Sequence, residues 1–281
     1  MSGPATASAA GCLVRTPRED APLRLFCFHH AGGGASFFGP WPARVVDGVD
    51  VLPVQLPGRE SRFREPRFQE AGTVAGALAE ELAPWLERPY AFYGHSMGAL
   101  IAFAVAAART RGGGRAPLAL FVGAYAAPHL TPPLPPADLY GDAELARLLV
   151  DIGGLHPQFL GRDDWLRALL PIVRDDLRIC ASHREAGLPE PRDPRDPGDP
   201  EDAAGPKDAA QRLSLDVRAF AGADDALVDA AAVYAWERYA REFRLTTLPG
   251  GHFFPRDAPG PFFEELNRSL TELLTRARAT A

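Results

Sequence analysis

A single lysine, Lys207, stands among the 30 basic residues of this 281-residue chain. No basic block or stripe compensates for it, and the formal net charge is -6. Those two absences exclude nucleic acid as the main partner. With the heavy alanine and proline content, the shortage of lysine reads as the base composition of a GC-rich gene, not as function. Cysteine is also sparse. Cys12, Cys27 and Cys180 are odd in number and far apart, which excludes a disulfide framework and any C-x-x-C centre; reduced thiols in a cytoplasmic protein are expected. The longest apolar run, Leu100 to Ala108, is too short to cross a bilayer. The opening ten residues lack both a basic and an apolar region, so no signal peptide is expected there. Residues 1–20 are expected to form a disordered leader. No H-E-x-x-H or carboxylate cluster points to a metal, and no G-x-G-x-x-G or G-K-[ST] points to a bound nucleotide. No cofactor is expected.

What the chain does have is a 46% hydrophobic content, enough for a sizeable core. Short apolar runs alternate with longer helical patterns. Strands are expected at Leu23–Phe28, Val51–Gln55, Tyr90–Tyr93, Leu118–Tyr125, Leu215–Phe220 and Phe243–Leu248. Helices are expected at Thr73–Leu86, Met97–Thr110, Asp229–Arg241 and Pro261–Arg276. This is the pattern of an α/β domain, residues 21–281, with a mostly parallel central sheet flanked by helices. The stretch from Tyr125 to Leu215 is too long for a crossover, so an insertion is expected there. Within it, Asp142 reads as an N-cap ahead of Leu145, Leu148, Leu149 and Ile152 on one helical face. A second helix, from Asp163 or Asp164 to Cys180, presents Trp165, Leu169, Ile172, Val173 and Leu177, with Pro171 as a kink point. Two amphipathic helices looped out of a sheet suggest a lid, about 130–187, over an apolar channel. The Arg-Asp-Pro-rich stretch that follows, about 188–210, carries no hydrophobic anchor and reads as a mobile loop.

The most informative residues are Y-G-H-S-M-G-A-L, Tyr93 to Leu100. A strand running directly into a helix leaves Ser96 at a tight turn whose backbone is strained, and Gly94 and Gly98 remove the side chains that would collide there. Chance alone would flank a given serine in this way about 1% of the time, so the strand-turn-helix context carries the inference. This is the nucleophile elbow of α/β hydrolases. A serine hydroxyl then needs a general base, and the base needs a carboxylate, in the chain order Ser, Asp, His at the ends of strands. His252 follows the last expected strand and a Gly-Gly turn. His95, inside the elbow, is expected to line the site. For the acid, Asp224 and Asp225 both follow Leu215–Phe220; the spacing Gly222, Asp225, Val228 favours Asp225. The oxyanion of the reaction needs two backbone N–H donors. Met97, directly after the nucleophile, is one, and Ala31, ahead of Gly32-Gly33-Gly34 after the first strand, is the other.

Five pieces of sequence carry a family resemblance: F-C-F-H-H-A-G-G (Phe26–Gly33), F-F-G-P-W (Phe37–Trp41), L-P-G-R-E-S-R (Leu56–Arg62), Y-G-H-S-M-G-A (Tyr93–Ala99) and G-G-H-F-F (Gly250–Phe254). Together they resemble the type II thioesterases, stand-alone α/β hydrolases that accompany modular polyketide and nonribosomal peptide synthases. The resemblance runs from about Leu13 to the C-terminal helix. It implies hydrolysis of stalled or aberrant acyl groups from the phosphopantetheine arm of acyl or peptidyl carrier proteins. The arm belongs to the partner, so no cofactor of the chain's own is implied. In that scheme Ser96 is the nucleophile, Asp225 the acid, His252 the base, and Ala31 and Met97 the oxyanion donors. The chain departs from the family at position 29, where His replaces the usual Pro. A small-molecule esterase or lipase-like hydrolase, a product-releasing thioesterase, and a carrier-binding module without activity are the alternatives.

Overall fold

A computed structural model describes residues 11–134, 136–183 and 215–279. Among the described residues, six strands form one sheet: β1 (Leu23–Phe28), β2 (Val49–Val54), β3 (Tyr90–His95), β4 (Leu120–Gly123), β5 (Leu215–Gly222) and β6 (Ala240–Leu248). Their order is β2-β1-β3-β4-β5-β6, and every neighbouring pair is parallel. The helices are α1 (Ala71–Leu82), α2 (Met97–Arg111), α3 (Asp142–Asp151), α4 (Asp163–Ser182), α5 (Ala230–Tyr234), α6 (Phe254–Asp257) and α7 (Pro259–Ala279).

Strand alternation splits the core into two layers. Phe26, Phe28, Tyr90 and Phe92 pack with Leu78 of α1 and Phe103 of α2. Their alternate neighbours Leu25, Cys27, Ala91 and Tyr93 pack with Phe262, Leu266 and Leu270 of α7 on the opposite face. A parallel sheet covered on both sides needs apolar residues at every strand position, which is why β1 and β3 read as unbroken runs. The first eleven residues of α2, Met97–Ala107, are likewise buried all round. Because all six strands run the same way, the loops after β1, β3, β5 and β6 emerge along one edge of the sheet.

Several boundaries differ from expectation. Pro84 cannot donate to the helical ladder, so α1 stops at Leu82 and a 3-10 turn covers Ala83–Trp85. The helix expected through Arg241 is only α5 plus a 3-10 segment to Tyr239. There Trp236 is fully buried, its Nε1–H donates to Tyr125 O at 2.8 Å, and β6 begins directly afterwards at Ala240. Strand β4 ends at Gly123 because Ala124 turns into positive φ (51°). The expected leader is overturned for residues 11–20. Cys12 and Leu13 are buried, Leu13 bridges Val54 antiparallel, and Gln55 N–H donates to Cys12 O at 2.7 Å. Two apolar side chains, an open strand edge and the contacts of Arg15 and Arg18 with Asp50 dock that segment. Residues 1–10 of the expected leader and the whole Arg-Asp-Pro loop lie outside the described residues.

The insertion between β4 and β5 has its own small core, where Leu145 and Leu149 of α3 meet Leu170, Val173 and Leu177 of α4. Gly141, not Asp142, is the N-cap of α3, and its N–H donates to Glu144 Oε2 at 2.9 Å. The last turns of α4 leave this satellite: Ile179 and Cys180 belong to the main core. Asp216 ties the far side together. Its Oδ1 accepts from Arg241 of β6 (3.0 and 2.7 Å) and its Oδ2 from Arg276 of α7 (2.6 Å). Burial alone would raise the Asp216 pKa, but the hydrogen bonds from Arg276 and Arg241 and their charges outweigh it and hold the pKa below the ordinary value. A carboxylate depressed in the folded state contributes stability that is complete above the unfolded pKa of about 3.9 and lost as pH falls through the folded value. Asp216→Asn should therefore cost about 2 kcal/mol at neutral pH. The urea midpoints of variant and wild type should converge below about pH 4; a gap undiminished in acid would trace the loss to packing instead.

Candidate active site

The elbow has the geometry its glycines require. Ser96 sits at φ 54°, ψ -126°, in the left-handed half of the map that side chains rarely adopt. A Cβ on Gly94 would lie 2.2 Å from Gly98 O, and one on Gly98 would lie 2.1 Å from Phe28 O at the end of β1. Both glycines are sterically obligatory. Ser96 N–H donates to Gly123 O at 2.7 Å, which locks the turn onto β4.

His252, after β6, and Asp225, after β5, converge on that serine. His252 Nε2 lies 2.9 Å from Ser96 Oγ, and His252 Nδ1 lies 2.9 Å from Asp225 Oδ2. The two side chains are 3% and 0% exposed. A carboxylate only accepts, so Nδ1 carries the proton and Nε2 presents its lone pair to the hydroxyl. Asp225 is itself fixed, its Oδ1 accepting from Leu227 N–H (2.8 Å) and Val228 N–H (3.1 Å). Asp224 is solvent-exposed, and its backbone N–H donates to Gly250 O at 3.0 Å. The structure therefore joins His252 to Asp225 and leaves Asp224 outside.

Around this trio, the histidines have different tasks. His95 does not line the site but lies fully buried beneath it. Its Nε2–H donates to the backbone carbonyl of His252 at 2.9 Å, while Nδ1 accepts from Tyr93 O–H at 3.1 Å. Burial, then the nearby His252 and His30, drives its pKa far below the usual imidazole value, so it stays neutral. A histidine inside the elbow was an evident candidate, but its inward direction follows from the pleat of β3, two residues on from Tyr93. His30 sits edge-on between Phe37 and Phe253, with ring centroids 4.9 and 4.8 Å away.

His29 answers the departure at that position. It is buried, and burial followed by the charge of Arg59 lowers its pKa to about 3. The neutral ring donates Nδ1–H to His30 O at 2.9 Å, and Gly33 N–H reaches the same oxygen at 3.1 Å. In a trans peptide, C=O and N–H point opposite ways. Two bonds on the His30 carbonyl thus constrain the direction of the Ala31 N–H from one side of the loop. Met97 N–H opens α2, among the amides that have no acceptor within their own helix. Helix α4 lies over the same loop: a Cβ on Gly32 would lie 2.8 Å from Val173 Cγ2. Among the described residues there is no cluster of three or more metal-ligating side chains, and no helix long and apolar enough to cross a membrane.

An all-parallel sheet with an elbow serine, an imidazole and a carboxylate on its loop edge defines the α/β-hydrolase class. The Thioesterase domain family model matches residues 23–270, and the chain belongs to that family. It is similar to the solved RedJ thioesterase of the prodiginine pathway in Streptomyces coelicolor, with 36% identity and a TM-score of 0.72 over 88% of this chain and 86% of that one. It is 31% identical to the gramicidin S biosynthesis protein GrsT of Aneurinibacillus migulanus over 90% of this chain and 91% of GrsT. It is 32% identical to LgrE of Brevibacillus parabrevis over 84% of this chain and 82% of that protein. LgrE is named a linear gramicidin dehydrogenase.

Exchanging each acid separately tests the geometry. Asp225→Asn should lower kcat by about 10⁴-fold through the wrong His252 tautomer. Asp224→Asn should change it less than about threefold, as expected for an exposed side chain. Steady-state kinetics on a chromogenic thioester would show this, and a larger loss at Asp224 would reassign the acid.

Proposed function

We propose that the chain is a serine thioesterase that clears aberrant or stalled acyl groups from the phosphopantetheine arm of acyl or peptidyl carrier proteins. The observation that carries this reading is the Ser96–His252–Asp225 relay, continuous at 2.9 Å and 2.9 Å within a thioesterase-family chain. Ser96 Oγ attacks the thioester carbonyl as His252 Nε2 takes its proton. The oxyanion is received by the N–H groups of Ala31 and Met97. The amides at Gly32, Gly33 and Ala35 are all engaged elsewhere, on Asp176 Oδ2, His30 O and Gln55 Oε1. Collapse breaks the C–S bond, and His252 returns the proton to the departing thiolate. Water then attacks the acyl-Ser96 ester, gives its proton to His252, and a second collapse releases the carboxylic acid and restores the serine hydroxyl. Asp225 stays ionised throughout and stabilises the imidazolium.

The triad chemistry does not itself choose thioester over ester. The family and the pathway names of its relatives support thioester, and the reading of the inserted helices as a lid is consistent with an arm-tethered chain passing beneath them. The three buried, unpaired thiols at Cys12, Cys27 and Cys180 favour a reducing, cytoplasmic setting. The test presents acyl-carrier proteins of graded chain length beside free esters of the same acids. The carrier-bound thioesters should show the higher kcat/KM, and Ser96→Ala should lower their turnover by at least about 10⁴-fold with the fold intact. Preference for the free esters would make the chain an esterase; undiminished turnover by Ser96→Ala would move the nucleophile.

A further inference from the structure

The L-P-G-R-E-S-R motif plays no part in the chemistry above, yet it places a charge deep in the molecule. Arg59 is 6% exposed and forms a bidentate pair with the fully buried Asp176, Nη1 to Oδ2 at 2.6 Å and Nη2 to Oδ1 at 2.8 Å. Asp176 belongs to α4, in the insertion, 117 residues further along the chain. The same Oδ2 accepts from Gly32 N–H at 2.7 Å, and Arg59 Nη1 also donates to Gly33 O at 3.3 Å. One ion pair thus holds two successive residues of the loop that carries Ala31, at the point where Gly32 turns through φ +75°.

Stability is a poor reason for this arrangement. Removing two charges from water offsets most of what their attraction returns, and apolar replacements of buried pairs are often as stable. Nor is the pair needed to moor the helix. The neighbouring Asp175 already does so, accepting from Arg67 Nε (2.6 Å) and Gln69 Nε2 (2.8 Å). What the pair adds is direction. It engages the Gly32 amide on the protein side, directly after the Ala31 amide.

We propose that Arg59 and Asp176 are positioning residues for the oxyanion hole, through which the inserted helix α4 sets the aim of the Ala31 N–H. This rests on the reading of Ala31 as oxyanion donor. The experiment compares wild type with Asp176→Asn, Arg59→Lys and the double variant Arg59→Met/Asp176→Leu. The double variant leaves no unpaired buried charge and keeps the fold accessible to measurement. Three quantities are read after thermal melting confirms folding: kcat and KM on an acyl-carrier protein, the Ki of an acyl trifluoromethyl ketone, and the Kd of a non-hydrolysable thioether analogue. The ketone adds to Ser96 Oγ to form a tetrahedral oxyanion, so it needs the hole; the thioether does not.

Asp176→Asn and the double variant should lose about 10²-fold in kcat, the loss typical of one misdirected oxyanion donor, with the ketone weakened in proportion. KM and thioether affinity should stay within about threefold, since ground-state binding is untouched. Arg59→Lys, which keeps the charge but not the fork, should fall between these and wild type. A folded variant with kcat and ketone affinity near wild type overturns the proposal, as does a thioether loss equal to the ketone loss. Wild type that captures the ketone but spares carrier-bound thioesters would refute the substrate assignment alone, with the ketone series still deciding the role of the pair.

Discussion

Much of this structure follows from one close approach. The first turn of α2 presses against the end of β1, with no room at Gly98 for a single carbon. That contact forces Ser96 into a conformation an L-residue avoids, at a cost of order 1–3 kcal/mol. It persists because the strands and helices on either side are buried and over-determine it. In exchange, the serine hydroxyl projects from the sheet edge, and the amide that follows it lies beside the loop carrying Ala31. The elbow serine and the glycine-rich loop after β1 are therefore parts of one packing unit.

The imidazoles around the site show how burial assigns protonation. His29, His30 and His95 are all held neutral, in each case chiefly by exclusion from water. Neutrality lets His95 donate to the His252 carbonyl and His29 donate to the His30 carbonyl while adding no positive charge near His252. In the proposed reaction, a charged neighbour would oppose the imidazolium formed at His252. Desolvation that would be a penalty elsewhere is here what keeps the props electrically silent.

The sequence was legible where a residue's role depends on its own neighbourhood. The elbow needs only local steric reasoning about Gly94, Ser96 and Gly98. Asp225 and His252 were reachable because each follows a strand whose apolar run is visible, and the Gly222–Asp225–Val228 spacing pointed to the carboxylate that lies beside His252. What escaped depends on distant partners. Nothing near Arg59 announces Asp176, and nothing near Asp175 announces Arg67. Docking of residues 11–20 was missed because two apolar side chains are a weak signal until an open strand edge is there to receive them. The start of β6 was hidden for a related reason: Trp236 and Tyr239 have helical spacing, but they are placed by a tertiary cluster with Phe103.

That docked segment bears on how the molecule behaves in company. Strand β2 is an outer strand of the sheet, and a parallel outer strand exposes a row of unsatisfied amides and carbonyls that invites pairing by another molecule. Leu13 bridges its last residue, Arg15 donates to Val51 O, and Arg18 reaches Val49 O and the Asp50 carboxylate. At the opposite margin, β6 alternates Arg241, Glu242 and Arg244 along its exposed length. Among the described residues one border of the sheet is thus sheathed and the other charged, the two devices by which an outer strand discourages edge-to-edge pairing.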